Sequence, residues 1–276
     1  MTNESGITDS VRIALQEDIG SGDITSLLID EAKISQAKIL SRQNAVICGM
    51  QWVDEVFRQL DVRVKLNWHV KDGERVSADQ VICELDGPAR ALLAGERTAL
   101  NFLQTLSGTA TRTARYVEAV EGTSTKILDT RKTIPGLRQA QKFAVRCGGG
   151  VNHRMGLYDA ILIKENHIEA AGSLEKAITR SQQVRADVLV EVEVETLDQL
   201  QRALSAGVKR VLLDNMTLAQ LSEAVTTNQG RAELEASGGV NLDTVRAIAD
   251  TGVDYVSVGD LTKDIEAVDL SMRFEH

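Results

Sequence analysis

Residues 188–214, VLVEVEVETLDQLQRALSAGVKRVLLD, decide the fold. A β-branched apolar run (188–194) gives way to a helix-length segment, TLDQLQRALSAG, and then to a second apolar run, RVLLD (210–214). The glycine closing the middle segment suits the residue just past a helix end. Continuous apolar strands separated by helices imply a parallel sheet covered on its faces.

The same beat extends in both directions. Strand-like runs recur at KILD (126–129), AILIK (160–164), ELEAS (233–237) and YVSVG (255–259). Helix-length segments such as SLEKAITRSQQVR, TLAQLSEAVTTNQG and NLDTVRAIADTG lie among them. Six such units fit a (β/α) barrel or an open doubly wound sheet. No GxGxxG follows the first strand and no GxxxxGK[ST] occurs, which disfavours dinucleotide and P-loop folds and leaves the barrel.

Upstream of residue 120 the beat is different. TDSVRIALQE (8–17) reads as a short amphipathic helix capped by Thr8 or Asp9, with Val11, Leu15 and Ile19 on one face. The turn GSGDITS offers Asp23 or Thr25 as the next cap. AKILSRQNAVICG and RVKLNWHVKDG alternate as strands do, while QWVDEVFRQLD spaces Trp52, Val56, Phe57 and Leu60 at helical intervals. A strand, a Gly-Pro break and an Ala- and Leu-rich helix follow at 81–108. Strands and helices without a βαβ rhythm imply an α+β domain.

Each strand-like run of the second part ends in residues able to do chemistry: Asp129 with Arg131, then Lys164, Glu193, Asp214, Ser237 and Gly259. In parallel α/β folds that end of the sheet lines the active site. Charge points to the same place. From Lys126 to Lys164 there are eight cationic side chains against Asp129 and Asp159, a net of +6 in a chain of net charge -9, so the remainder sums to -15. A cationic island in an acidic protein concentrates small anions, whereas the acidic surround repels a nucleic acid or an anionic membrane. The acidic N-terminus shows no signal peptide, no run is long enough for a membrane span, and three scattered cysteines suit a reducing, cytoplasmic setting without disulfides or a thiolate metal site.

Arg captures carboxylate or phosphate through two parallel hydrogen bonds, and Lys acts as a mobile point charge. DTRKT (129–133), NHR (152–154) and IKENH (163–167) therefore imply a ligand with several anionic groups. Arg138, Lys142 and Arg146 fall on the intervening helix and are expected to coat its face or attract substrate. His153 and His167 lack metal-ligand spacing and read as hydrogen-bonding histidines; His69 reads as structural, and the terminal His276 has no chemical reading. GGG (148–150) is a helix stop, or a stretch whose amides approach an anion. Glu191, Glu193 and Glu195 share one side of their strand. Glu193 with Asp214 makes a carboxylate pair suited to ribose hydroxyls, to a hard Mg2+ ion or to a cationic transition state. SGG (237–239) and VG (258–259) match the phosphate loops that follow the last two strands of a barrel.

The chain resembles the quinolinate phosphoribosyltransferases. The resemblance rests on ALQEDIGSGDIT, LLAGERTALNFLQTLSG, DTRKTIPGLR, KFAVRCGGGVNHRMGLYDAILIKENH, EVEVETL, LLDN, EASGGVN and GVDYVSVGDLT, in that order over nearly the whole length. It implies an N-terminal α/β (α+β) sandwich at 1–107 and an incomplete seven-stranded (β/α) barrel at 108–264, with the tail 265–276 packing back onto the first domain. It also implies a homodimer, assembled into hexamers in some members, in which Arg97 enters the partner's site. Thr130, Arg131, Lys132, His153 and Arg154 would surround the quinolinate dicarboxylate, and Lys132 and Lys164 would face phosphoribosyl pyrophosphate. Glu193 and Asp214 would hold the ribose hydroxyls and Mg2+, with Lys132, Glu193 and Asp214 as the catalytic groups. Ser237, Gly238, Gly239, Val258, Gly259 and Asp260 would cradle the 5′-phosphate. No organic cofactor is implied.

One departure stands out: Leu261-Thr262-Lys263-Asp264 replaces the family's LTHS, so Lys263 is expected to supply the positive charge. Two other readings remain, a same-fold enzyme acting on another base and a non-catalytic protein that binds a phosphorylated metabolite.

Overall fold

The computed structural model describes residues 4–185 and 187–275; the terminal His276 lies outside them. In chain order come α1 (Glu4–Ile19), a 3-10 turn (Ser26–Leu28), β1 (Ile34–Ser41), β2 (Ala45–Val46), α2 (Met50–Leu60), β3 (Lys65–Trp68), β4 (Arg75–Val76), β5 (Val81–Pro88) and α3 (Ala89–Ala119). Next are β6 (Lys126–Leu128), α4 (Arg138–Cys147), β7 (Ala160–Ile163), α5 (Glu165–Ala171), α6 (Leu174–Val184), β8 (Leu189–Val194), α7 (Leu197–Ser205) and β9 (Arg210–Asp214). The chain ends with α8 (Leu218–Asn228), β10 (Glu233–Ser237), α9 (Val245–Ala249), β11 (Tyr255–Ser257), α10 (Asp260–Lys263) and β12 (Leu270–Phe274). Two compact units result. One comprises Met1–Ala114, Thr133–Gly149 and Leu261–His276, the other Arg115–Lys132 and Gly150–Asp260.

The first unit is built on an antiparallel sheet of order β12-β1-β5-β3. The C-terminal strand pairs with β1, Ile39 facing Met272. Val11 and Leu15 of α1, and Trp52, Val56 and Phe57 of α2, are buried in its core with Leu103 and Leu106 of α3. Burying each such side chain contributes roughly 1.5–3 kcal/mol. One expectation needs correction. The first helix starts at Glu4, so Thr8 and Asp9 lie inside it and do not cap it. In the turn that follows, Asp23 accepts from the Thr25 and Ser26 amides at 2.9 and 3.1 Å, while the Thr25 side chain caps nothing. α3 runs on for eleven residues past Gly108.

α4 also belongs to this unit, and Lys142 does not coat its face: the side chain is 1 % exposed. Arg146 lies over the Phe143 ring at 5.7 Å, and Arg138 donates to the Thr133 hydroxyl at 3.2 Å. The amides of Gly148 and Gly149 donate to Ala144 and Arg146 carbonyls, so these two glycines serve as a helix stop. A Cβ on Gly148 would stand 2.4 Å from the Ala110 carbonyl oxygen, which is why the residue there must be glycine.

The second unit is a six-stranded parallel sheet of order β6-β11-β10-β9-β8-β7. All six runs anticipated from the sequence form its strands. Val151 adds an isolated parallel bridge to Leu128 on the outer side of β6, in the place a seventh strand would take. Leu200, Ala203 and Leu204 of α7 and Leu221 and Ala224 of α8 are buried, as an amphipathic helix on a sheet requires. Both helices start with capping boxes, Thr196 with Gln199 and Thr217 with Gln220, which satisfy otherwise orphaned amides. Because the strands are parallel, their carboxyl ends share one edge, where the loops carrying the candidate residues emerge.

Candidate active site

At that edge the second unit brings most of the sequence-predicted residues together. Glu193 from β8 and Lys164, just past β7, form an ion pair. Asp214 ends β9, and Asn215 donates to it at 2.8 Å. Burial raises the Asp214 carboxyl above the usual range, the neighbouring Glu193 adds to this, and the charges of Lys164 and Lys132 oppose it. The four groups are therefore within electrostatic reach of one another. Two carboxylates offer hard oxygen donors of the kind Mg2+ prefers, and the two ammonium groups suit a phosphorylated ligand.

Beside them are the arginines. Arg131 and Arg154 are half-buried. Arg154 donates to the Ala160 carbonyl at 3.3 Å. Burial lowers its pKa, the positive charge of Arg131 lowers it further, and Glu191 and Asp159 oppose both effects. Two guanidinium groups held close enough to repel each other favour a ligand that places negative charge between them. Thr130 accepts from the Lys132 amide at 3.1 Å and shapes the loop between the two cations. Asp159 accepts from the Met155 and Gly156 amides at 2.7 and 2.9 Å, closing the turn that follows Arg154.

His153 is held by its neighbours through both ring nitrogens. Its Nδ1 accepts from the Arg154 amide at 2.7 Å, and its Nε2 lies 2.8 Å from Glu191 and 3.5 Å from Glu235. Glu191 and Glu235 are 1 % and 0 % exposed. Burial, then the neighbouring Glu191, pushes the Glu235 carboxyl well up. His167 likewise serves the backbone, its Nδ1 accepting from the Lys164 amide at 3.0 Å in the cap of α5.

The glycine loops follow β10 and β11. Gly238 has φ +107°, and a Cβ there would stand 2.2 Å from Asn215 Oδ1, so only glycine fits. Gly239 has φ +61° and open space around its Cα. After β11, Val258 is buried with its amide on the Leu128 carbonyl, and Asp260 accepts from the Tyr116 hydroxyl at 2.7 Å. Three placements differ from the rest of the candidate set. Arg97 is exposed on α3 in the first unit, Glu195 is exposed past β8, and Lys263, also in the first unit, pairs with Asp264 at 2.7 Å.

Sequence reasoning left two groups without a role. Asp129 is fully buried and holds the next loop, accepting from the His153 amide at 2.9 Å and the Asn152 side chain at 2.6 Å. Glu235 sits mid-strand in β10. The signal available was a carboxylate inside an otherwise apolar parallel strand, a position that solvation does not explain.

Comparison with known proteins bears on the family and the fold. Residues 23–107 match the family profile "Quinolinate phosphoribosyl transferase, N-terminal domain", and residues 109–273 match that of the C-terminal domain. A probable nicotinate-nucleotide pyrophosphorylase [carboxylating] of Bacillus subtilis is 43% identical over 257 residues, covering 93% of this chain and 89% of the relative. A nicotinate-nucleotide pyrophosphorylase [carboxylating] of Mycobacterium leprae is 41% identical over 96% of this chain and 95% of its own. The solved nicotinate-nucleotide pyrophosphorylase of Francisella tularensis superimposes with a TM-score of 0.96 at 45% identity, covering 100% of this chain and 98% of that one. Profile, identity and fold agree over most of the chain: it belongs to the quinolinate phosphoribosyl transferase family.

Proposed function

We propose that the chain transfers the phosphoribosyl group of phosphoribosyl pyrophosphate to quinolinate with loss of CO2, giving nicotinate mononucleotide and pyrophosphate. The names of the relatives describe the same chemistry from the nucleotide side. The observation that carries the reading is the pair of half-buried guanidinium groups, Arg131 in the loop after β6 and Arg154 in the loop before β7, since quinolinate supplies two adjacent carboxylates on a pyridine ring.

In this reading the pyridine nitrogen forms a bond to the anomeric carbon as the bond to pyrophosphate breaks. The ribosyl centre carries positive charge midway, and the Glu193–Asp214 pair offsets it. Lys132 and Lys164 take up charge on the departing pyrophosphate. Mg2+, bound with the pyrophosphate substrate and held through Glu193 and Asp214, would supply further neutralisation of phosphate charge. Ser237 to Gly239 and the turn at Gly259 and Asp260 hold the 5′-phosphate; Val258, buried with its amide on Leu128, shapes that turn without reaching the ligand. Once the nitrogen is alkylated, the C2 carboxylate leaves as CO2; its electron pair stays on C2 beside the cationic nitrogen and takes up a proton. Positioning and electrostatics carry the catalysis, and no covalent enzyme intermediate is needed. Arg97 reaches the site of a second copy in a dimer.

Phosphorus NMR of the protein with quinolinate, phosphoribosyl pyrophosphate and Mg2+ tests this. Free pyrophosphate together with a new phosphomonoester is expected. No pyrophosphate under these conditions would overturn the reading in favour of a metabolite-binding protein.

A further inference from the structure

The buried trio behind the arginines has no part in the chemistry above. Ligand atoms of His153, Glu191 and Glu235 lie within 4.8 Å of one another, close enough to suggest a metal site. The hydrogen bonds argue otherwise. A backbone N–H can only donate, so the contact from the Arg154 amide makes His153 Nδ1 the unprotonated nitrogen. In a neutral imidazole the proton then sits on Nε2, which has no lone pair for a metal and points it at Glu191 Oε2, 2.8 Å away. Glu235 stands second to the same nitrogen at 3.5 Å. Among the described residues no well-formed hydrogen bond ends on Glu191 Oε1 or on either oxygen of Glu235; the two carboxyl groups face each other, with His153 beside both and Ser257 beside Glu235.

Each contact ends on Arg154. The His153 ring holds its amide, Asp129 holds the amide of His153, and the Arg154 guanidinium is tied to the Ala160 carbonyl within the field of Glu191. Glu191 and Glu235 come from β8 and β10, which flank β9, so the trio ties together strands that are not neighbours in the sheet.

We propose that Glu191 and Glu235 are positioning residues: they hold His153 as the Nε2–H tautomer, and His153 fixes the backbone and guanidinium of Arg154 for the dicarboxylate. This rests on the reading of the substrate given above. His153 then acts on quinolinate through Arg154, not through a free ring nitrogen.

The test has two arms. Long-range nitrogen–proton NMR of the intact labelled protein, with His153 assigned by substitution, reports the tautomer without turnover. A neutral Nε2–H ring is expected; a neutral Nδ1–H ring, an imidazolium, or a stoichiometric bound metal lost in Glu235→Gln would overturn the proposal. In the kinetic arm, Glu191→Ala raises KM for quinolinate about tenfold or more, with KM for phosphoribosyl pyrophosphate moving much less. Glu191→Gln keeps an acceptor for Nε2–H and restores most of that loss. Equal shifts in both KM values, or no shift in a variant that still melts cooperatively, would sink the idea. Should Glu191→Ala not fold, Glu191→Leu, which fills the space without offering an acceptor, carries the kinetic arm, with KM for quinolinate again the parameter expected to rise. A wild-type protein inactive on quinolinate would refute the proposed function, while the tautomer measurement would still decide the positioning claim.

Discussion

At the scale of single residues, planar recognition decides which side chains can hold the substrate's carboxylates. A guanidinium offers two parallel N–H groups to a carboxylate and an ammonium does not, so Arg to Lys is not conservative at such a position. Arg154→Lys is expected to raise KM for quinolinate about tenfold or more, the loss of one charge-assisted hydrogen bond, with kcat changed less. Steady-state kinetics at saturating phosphoribosyl pyrophosphate measures this, and an unchanged KM would remove Arg154 from the dicarboxylate site. Residue-level chemistry was legible at strand ends, because a parallel sheet turns sequence position into spatial position: Lys164, Glu193 and Asp214 were placed by that rule alone and do act on one another. The rule failed for Glu191 and Glu235. Glu191, alternating with valines, looks like part of a solvated face, and the folded sheet shows that both glutamates are sealed away from water.

Among elements, α2 shows how pH should act on the first unit. Glu55 accepts from Arg58 Nε and Nη2 at 2.5 and 2.6 Å and from Gln59 at 2.7 Å. The Arg58 hydrogen bonds pull its carboxyl down from 4.5 to about 2. A depressed carboxylate stabilises the fold at pH values above its unfolded pKa and ceases to do so as pH falls through the folded one. The stabilisation is thus complete above pH 4.5 and is lost between pH 4.5 and about 2. Glu55→Gln should melt below wild type near neutrality, and the gap should shrink across that window; a gap that widens on acidification would contradict the assignment. Arg58 is more than half exposed, so solvent screening keeps the effect modest. Element boundaries were less legible than element types. Ser107-Gly108 resembles a helix end, yet α3 continues, because Gly108 lets the chain at Glu266 approach: a Cβ would stand 2.3 Å from that carbonyl oxygen. Close approach and termination both select glycine, and sequence alone does not separate them.

For the whole molecule, charge is the organising quantity. A net +6 segment within a chain of net charge -9 should draw anionic substrates inward. Raising salt from about 0.05 to about 0.5 M shortens the screening length several-fold, so kcat/KM for phosphoribosyl pyrophosphate should fall while kcat stays nearly constant. Salt-independent kcat/KM would show that the island does not steer. Lys142 marks the limit of counting charges along the sequence: it was part of that sum, but its side chain is buried.

The central claim, a site shaped for two adjacent carboxylates one of which is lost, is tested most directly with carboxyl-labelled quinolinate. With phosphoribosyl pyrophosphate and Mg2+, the account expects labelled CO2 and pyrophosphate in equal amounts, and little or no pyrophosphate when nicotinate replaces quinolinate. Efficient turnover of nicotinate, or pyrophosphate formed from quinolinate without CO2, would contradict it.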